Sequence, residues 1–106
     1  MAGLSGVQAR PLAGQRGVIT AQQIEAALRG ETYYFPRSRL IAIENTHNLA
    51  GGVIFPLAEI ASIRQLALAR GVAMHLDGAR LWNASVAAGI PLRDYVQHFD
   101  SVSVCF

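Results

Sequence analysis

Two short stretches carry the residue types that do chemistry. His75-Leu76-Asp77-Gly78-Ala79-Arg80 sets a carboxylate three residues from a guanidinium, and Glu44-Asn45-Thr46-His47-Asn48 holds an imidazole thirty residues before Asp77. A carboxylate leaving a parallel strand at its carboxyl end is aimed at a ligand. An arginine in the first turn of the next helix opposes the helix dipole and calls for a compensating anion. An imidazole in a polar loop accepts or donates a proton near neutral pH. Each residue also has a plain structural use: Asp77 as a cap on the following helix, Arg80 as its ion partner across the turn, His47 as a loop histidine bonded to backbone. His75 shares a strand face with Asp77 and reads as core. A metal-dependent hydrolase using His47, His75 and Asp77 is a weak match in ligand identity and count.

The elements that must position these residues are legible from period and punctuation. Val72–Leu76 is short, apolar and β-compatible, and Ala79–Ala88 contains no breaker and reads as a helix, so Asp77 and Gly78 fall at a strand-to-helix junction. Leu40–Glu44 reads as a strand with Asn45–Gly52 as its polar exit loop. Pro56 then opens a helix whose apolar positions Leu57, Ile60, Ile63 and Ala67 recur every three to four residues until Arg70-Gly71. Strand, helix and strand in that order form a βαβ unit, so the two strands should be parallel and their exit loops should share one rim. Upstream, residues 1 to 19 read as Gly/Ala/Pro-rich extended loop. Thr20 and Gln23 then make a capping box for a helix with Ile24, Ala27 and Leu28 on one face, closed by Gly30. Tyr33, Tyr34 and Phe35 lie in a connector and are expected to pack on a neighbour. Downstream, Pro91 opens a short helix through Gln97, and Ser101–Phe106 is a third candidate strand, with Cys105 expected in the core.

Composition limits the functions open to the chain. It has 106 residues, 52% apolar and 15% charged. So few charges barely coat a small globule, which points to a piece of a larger domain or a partner-covered subunit. The net charge is +2, and all nine basic residues are arginines scattered along the sequence, which argues against nucleic acid. No apolar run is long enough for a membrane span, and the N-terminus lacks the pattern of a signal peptide, so a cytoplasmic location is the expectation. The single Cys105 excludes an internal disulfide and a Cys-rich metal site.

Glu44–Asn48, the glycine pair Gly51-Gly52, His75–Ala84 and Ser-Val-Ser-Val-Cys at 101–105 together resemble the low-specificity threonine aldolases. These belong to the β-eliminating lyase group of fold-type I pyridoxal-phosphate (PLP) enzymes. The likeness extends over nearly the whole chain, from Leu4 onward. It implies an α/β fold: a three-layer parallel-sheet fragment of the PLP-dependent, aminotransferase-like large domain, with residues 1–106 as its central part. By the same resemblance Asp77 pairs with the cofactor's protonated pyridine nitrogen, and Arg80 lies near its phenolic oxygen and the substrate carboxylate. His47 would stand by the substrate's β-hydroxyl as a catalytic residue. The implied reaction is retro-aldol cleavage of L-threonine or L-allo-threonine to glycine and acetaldehyde. The implied assembly is a homo-oligomer, without nucleic acid or membrane partners. The family's Schiff-base lysine, which follows the Ser-Val-Ser-Val-Cys strand, has no counterpart in a chain without lysine. The phosphate-binding loop, the ring-stacking histidine and the C-terminal domain are likewise expected outside these residues. The isolated chain is therefore expected to be inactive, and the alternative reading is a non-catalytic truncated form acting as an interaction module with the full-length enzyme.

Overall fold

Residues 40–44 alternate in environment, and that alternation sets the architecture. In the computed structural model, which describes residues 1–106, they form β1 (Leu40–Glu44) with Ile41 and Ile43 buried and their neighbours turned outward. Two further strands, β2 (Ala73–Gly78) and β3 (Ser101–Val104), join it in a parallel sheet of order β1-β2-β3. The register places Ile41 beside Met74, Ile43 beside Leu76, and Leu76 beside Val102, so one face of the sheet is a continuous apolar surface. The opposite face carries Ala42, His75 and Ser101 in one row and Glu44, Asp77 and Ser103 in the next.

Helices α1 (Ala2–Ser5), α2 (Ala21–Ala27), α3 (Leu57–Arg70), α4 (Leu81–Ala88) and α5 (Leu92–Val96) complete the chain. Strands in sequential order, joined by crossovers of the usual right hand, receive their connecting helices on the same face. One apolar cluster accordingly joins Ile24 of α2, Ile60, Ile63 and Ala67 of α3, Leu81 and Ala84 of α4 and Tyr95 of α5 to Ile41, Ile43, Met74 and Leu76. Each fully buried Ile or Leu contributes about 1.5–3 kcal/mol. Residues 1–106 thus supply the sheet and one helical layer, and the other face of the sheet is open.

Local chemistry explains the helix ends. Thr20 and Gln23 form the reciprocal capping box, Pro56 stands at the N-cap of α3, and Gly71 ends α3 in the left-handed region at φ 63°. A polar staple then fixes α3 to the sheet. Arg64 donates to both oxygens of Asp100 at 2.8 and 3.1 Å, and the Met74 amide donates to Asp100 Oδ2 at 2.8 Å. The Arg64 bond and the Met74 amide hold the Asp100 carboxyl below its ordinary value, while the bond to Asp100 raises the Arg64 guanidinium. Tyr95 is fully buried with no hydrogen-bond partner on its hydroxyl, and burial raises that phenol.

Several local expectations are corrected. β2 continues through Asp77 and Gly78, and α4 starts at Leu81 with Arg80 as its N-cap residue, so Arg80 precedes the first helical turn. Gly78 stays in the strand because β3 comes close to it: a Cβ there would lie 2.8 Å from the Ser103 carbonyl oxygen. α2 ends at Ala27 with Leu28 as its C-cap, two residues before the expected Gly30. Residues 15 to 18, read as open loop, make a tight turn with Gln15 bridged to Val18 and positive φ at Arg16 and Gly17. Tyr33, Tyr34 and Phe35 are exposed and meet one another edge-to-face or tilted, with Arg29 over the Phe35 ring at 4.3 Å. Cys105 lies past the end of β3 and is exposed. His75 is outside the apolar core, with Nδ1 2.8 Å from Ser101 Oγ on the open face.

Candidate functional site

The exit of β1 is a closed loop held by its own polar atoms. Asn45, wholly buried, donates its backbone N–H to the Asp77 carbonyl at 3.1 Å and accepts the Phe55 amide on Oδ1 at 3.1 Å. This one residue ties the start of the loop to β2 and to the chain that enters α3. Within the loop, His47 donates its amide to Val53 O at 3.0 Å and accepts from Gly52 N at 2.9 Å. Gly51 and Gly52 make the turn at φ 86° and 77°, a region that favours glycine.

The loop fixes the His47 ring as well as its backbone. The Ala50 amide donates to Nδ1 at 3.1 Å, and Nε2 points toward Glu44, whose Oε2 is 3.9 Å away. Gly17 backs the ring. A Cβ at that position would lie 2.7 Å from His47 Cγ and 2.9 Å from Nδ1, so only glycine lets the turn of residues 15–18 come this close. Glu44 Oε1 accepts the Asn48 amide at 3.3 Å, which orients the carboxylate along the rim.

The exit of β2 supplies the other charges. Asp77 uses Oδ1 to accept the Ala79 amide at 3.2 Å, bracing the turn before α4, and its Oδ2 has no partner. The carboxylate therefore braces the turn and still offers a free oxygen. Arg80 is exposed and makes no ion pair, either with Asp77 or with any other carboxylate. Glu44 and Asp77 are register partners, which sets their Cα atoms about 4.8 Å apart on the same open face.

His47 thus faces Glu44, and Glu44 stands beside Asp77 in the register, whereas Arg80 follows Asp77 by three residues in the chain and makes no hydrogen bond or ion pair with any of the three. Glu44, Ala50 and Gly17 belong to the same construction, and sequence reasoning gave them no role. Glu44 was legible in principle, as the last residue of a parallel strand. Ala50 acts through its backbone, and Gly17 acts across thirty residues, so neither had a local signal. Two of the chain's concavities lie away from this rim, one of about 290 Å³ bounded by Gln15, Val18, Thr20 and Gln23 and one bounded by residues that include Arg29, Arg37 and Arg70. No three His, Cys, Asp or Glu side chains stand close enough together to hold a metal ion.

This arrangement suits a ligand with a protonated ring nitrogen for Asp77 and an anionic group for Arg80, which are features of PLP and of an amino-acid carboxylate. It offers no side-chain amine, because the chain contains no lysine.

Comparison with known proteins gives a concordant result. The chain is 44% identical over 92 residues to low-specificity L-threonine aldolase 1 of Arabidopsis thaliana, covering 84% of this chain and 25% of that protein. It is 43% identical over 98 residues to a probable low-specificity L-threonine aldolase of Schizosaccharomyces pombe, covering 91% of this chain and 25% of the relative. Against the probable low-specificity L-threonine aldolase 2 of Arabidopsis thaliana the identity is 41% over 106 residues, covering 96% of this chain and 30% of the relative. The chain thus spans about a quarter of the length of the curated relatives it matches. The family model described as beta-eliminating lyase matches residues 1–106. With a parallel α/β sheet, the Asp77 rim and a match along its whole length, the chain belongs to the beta-eliminating lyase family.

Proposed function

We propose that residues 1–106 form the central part of the large domain of a PLP-dependent carbon–carbon lyase that cleaves L-threonine or L-allo-threonine to glycine and acetaldehyde. The observation that carries this reading is Asp77: a carboxylate at the carboxyl end of the central strand, with one oxygen bracing its turn and the other free. The names of the relatives support the choice of substrate.

In this reading Asp77 would hold the protonated pyridine nitrogen, its charge keeping that proton in place. Bound PLP supplies the electron sink for the pair released when the substrate bond breaks. Arg80, unpaired within the chain, would hold the substrate carboxylate and the cofactor's phenolic oxygen. His47 stands at the β-hydroxyl. Covalent attachment requires a lysine supplied by residues outside 1–106, so the isolated chain gives no turnover. A cytoplasmic homo-oligomer acting in threonine breakdown and glycine formation completes the proposal.

A direct test places residues 1–106 into the Arabidopsis thaliana probable aldolase 2 in exchange for the 30% of that enzyme they match. The chimera is expected to release acetaldehyde from L-threonine, and Asp77→Asn is expected to abolish that release while the protein stays folded. Full activity in the Asp77→Asn chimera would refute the reading.

A second reading is favoured by the uncovered sheet face with Ala42, His75 and Ser101 at its centre: the chain pairs through it with the full-length enzyme as a non-catalytic module. Light scattering showing a stable monomer with no affinity for that enzyme would exclude it.

A further inference from the structure

The two nitrogens of His47 have different partners, and this difference assigns the proton. Nδ1 accepts the Ala50 amide at 3.1 Å, so it carries a lone pair, and in the neutral ring the hydrogen resides on Nε2. Nε2 faces Glu44 Oε2 across 3.9 Å, and the two side chains are 31% and 35% exposed. That separation is too long for a hydrogen bond between them. An oxygen placed about 2.8 Å from both atoms would see them at an angle of roughly 90°, a workable geometry for a hydroxyl that accepts from one and donates to the other. Glu44 is held for this by the Asn48 amide on its second oxygen, 3.3 Å away. His47 is held by Ala50 on one side and by the glycine-only approach of Gly17 on its back.

We propose that His47 and Glu44 form a hydroxyl-binding pair in which His47 Nε2–H donates and Glu44 Oε2 accepts, so that Glu44 rather than His47 takes the hydroxyl proton. A ring whose Nε2 already bears hydrogen cannot accept there without first moving that hydrogen to Nδ1, where the Ala50 N–H points. The assignment deepens the threonine-cleavage reading and rests on it for the identity of the hydroxyl. The O–H bond of the β-hydroxyl breaks toward Glu44 Oε2, and the electrons left on oxygen form the carbonyl of acetaldehyde. The pair of the broken Cα–Cβ bond stays with the glycine carbon, which takes up one proton to give glycine. His47 steadies the oxygen throughout.

Two measurements decide it. In long-range proton–nitrogen correlation spectra of the 106-residue chain at neutral pH, with His47 assigned through His47→Gln, the Nε2–H form is expected. A dominant Nδ1–H form would overturn the proposal. In the chimera, Glu44→Gln is expected to lower kcat by about 100-fold or more with KM for threonine unchanged, as for loss of a general base. His47→Gln, which keeps an N–H donor on the rim, is expected to lose only about tenfold. The reverse ranking would make His47 the base and overturn the assignment. A folded chimera that binds PLP without cleaving threonine would refute the functional reading by itself, and the tautomer spectrum would still decide which residue can accept a proton.

Discussion

Gly17→Ala tests the construction of the rim far from any strand end. Gly17 sits at φ 80°, and a Cβ there would stand 2.7 Å from His47 Cγ and 2.9 Å from Ala50 Cβ. Holding alanine in the left-handed region costs about 1–2 kcal/mol. If the ring moves aside, the bond from the Ala50 amide to Nδ1 is lost, which adds about 0.5–1.5 kcal/mol. The sum, about 1.5–3.5 kcal/mol, corresponds to a Tm decrease of at least roughly 6 °C for a domain of this size. Gly30→Ala is the matched control, because a Cβ there meets nothing within 4 Å and its φ is not positive, so it is expected to be neutral. Urea and thermal unfolding give the stability difference, and the His47 side-chain nitrogen shifts report whether the ring has moved. Equal stability of the two variants, with unchanged His47 signals in Gly17→Ala, would refute the claim that this turn backs the imidazole.

Two further outcomes follow from groups away from the rim. The Asp100 carboxyl is held low by Arg64 and by the Met74 amide, so its contribution to stability is present above the unfolded-state value of about 4 and is lost as pH falls through the lower folded value. Asp100→Asn should therefore flatten the acid side of a urea-midpoint-versus-pH curve and leave its neutral-to-alkaline shape unchanged; a parallel curve would show that the staple does not titrate. Tyr95 buries a hydroxyl that has no partner, so Tyr95→Phe should be neutral or stabilise the fold by up to about 1 kcal/mol in urea unfolding. A loss of more than about 1 kcal/mol would reveal a hydrogen bond to that hydroxyl.

Signals confined to a few residues were read well. Thr20 with Gln23, Pro56, and Arg70-Gly71 announce helix ends through backbone groups that need a partner or a left-handed residue, and each marks an end in the structure. Asp77 and His47 were legible as candidates because a strand's carboxyl end is predictable from period, and the parallel register then brings Glu44 beside Asp77. What was hidden depended on distant neighbours. Gly78 reads as a breaker, yet it is a strand residue that lets the Ser103 carbonyl come near. Gly17 reads as loop, and its reason lies in a ring thirty residues away. Cys105 follows an apolar strand pattern, but β3, an edge strand, ends at Val104, so apolarity there does not produce burial. The role of Ala50 is carried by an amide common to nearly all residues, and no side-chain pattern points to it.

The nitrogen-15 shift of labelled pyridoxal phosphate bound to the chimera tests most directly whether Asp77 meets the cofactor. A protonated pyridine nitrogen with Asp77 in place, and an unprotonated one after Asp77→Asn at the same pH, is the predicted pair of results. A nitrogen whose protonation is the same in both proteins would mean that the carboxylate at the end of β2 serves only to brace its turn.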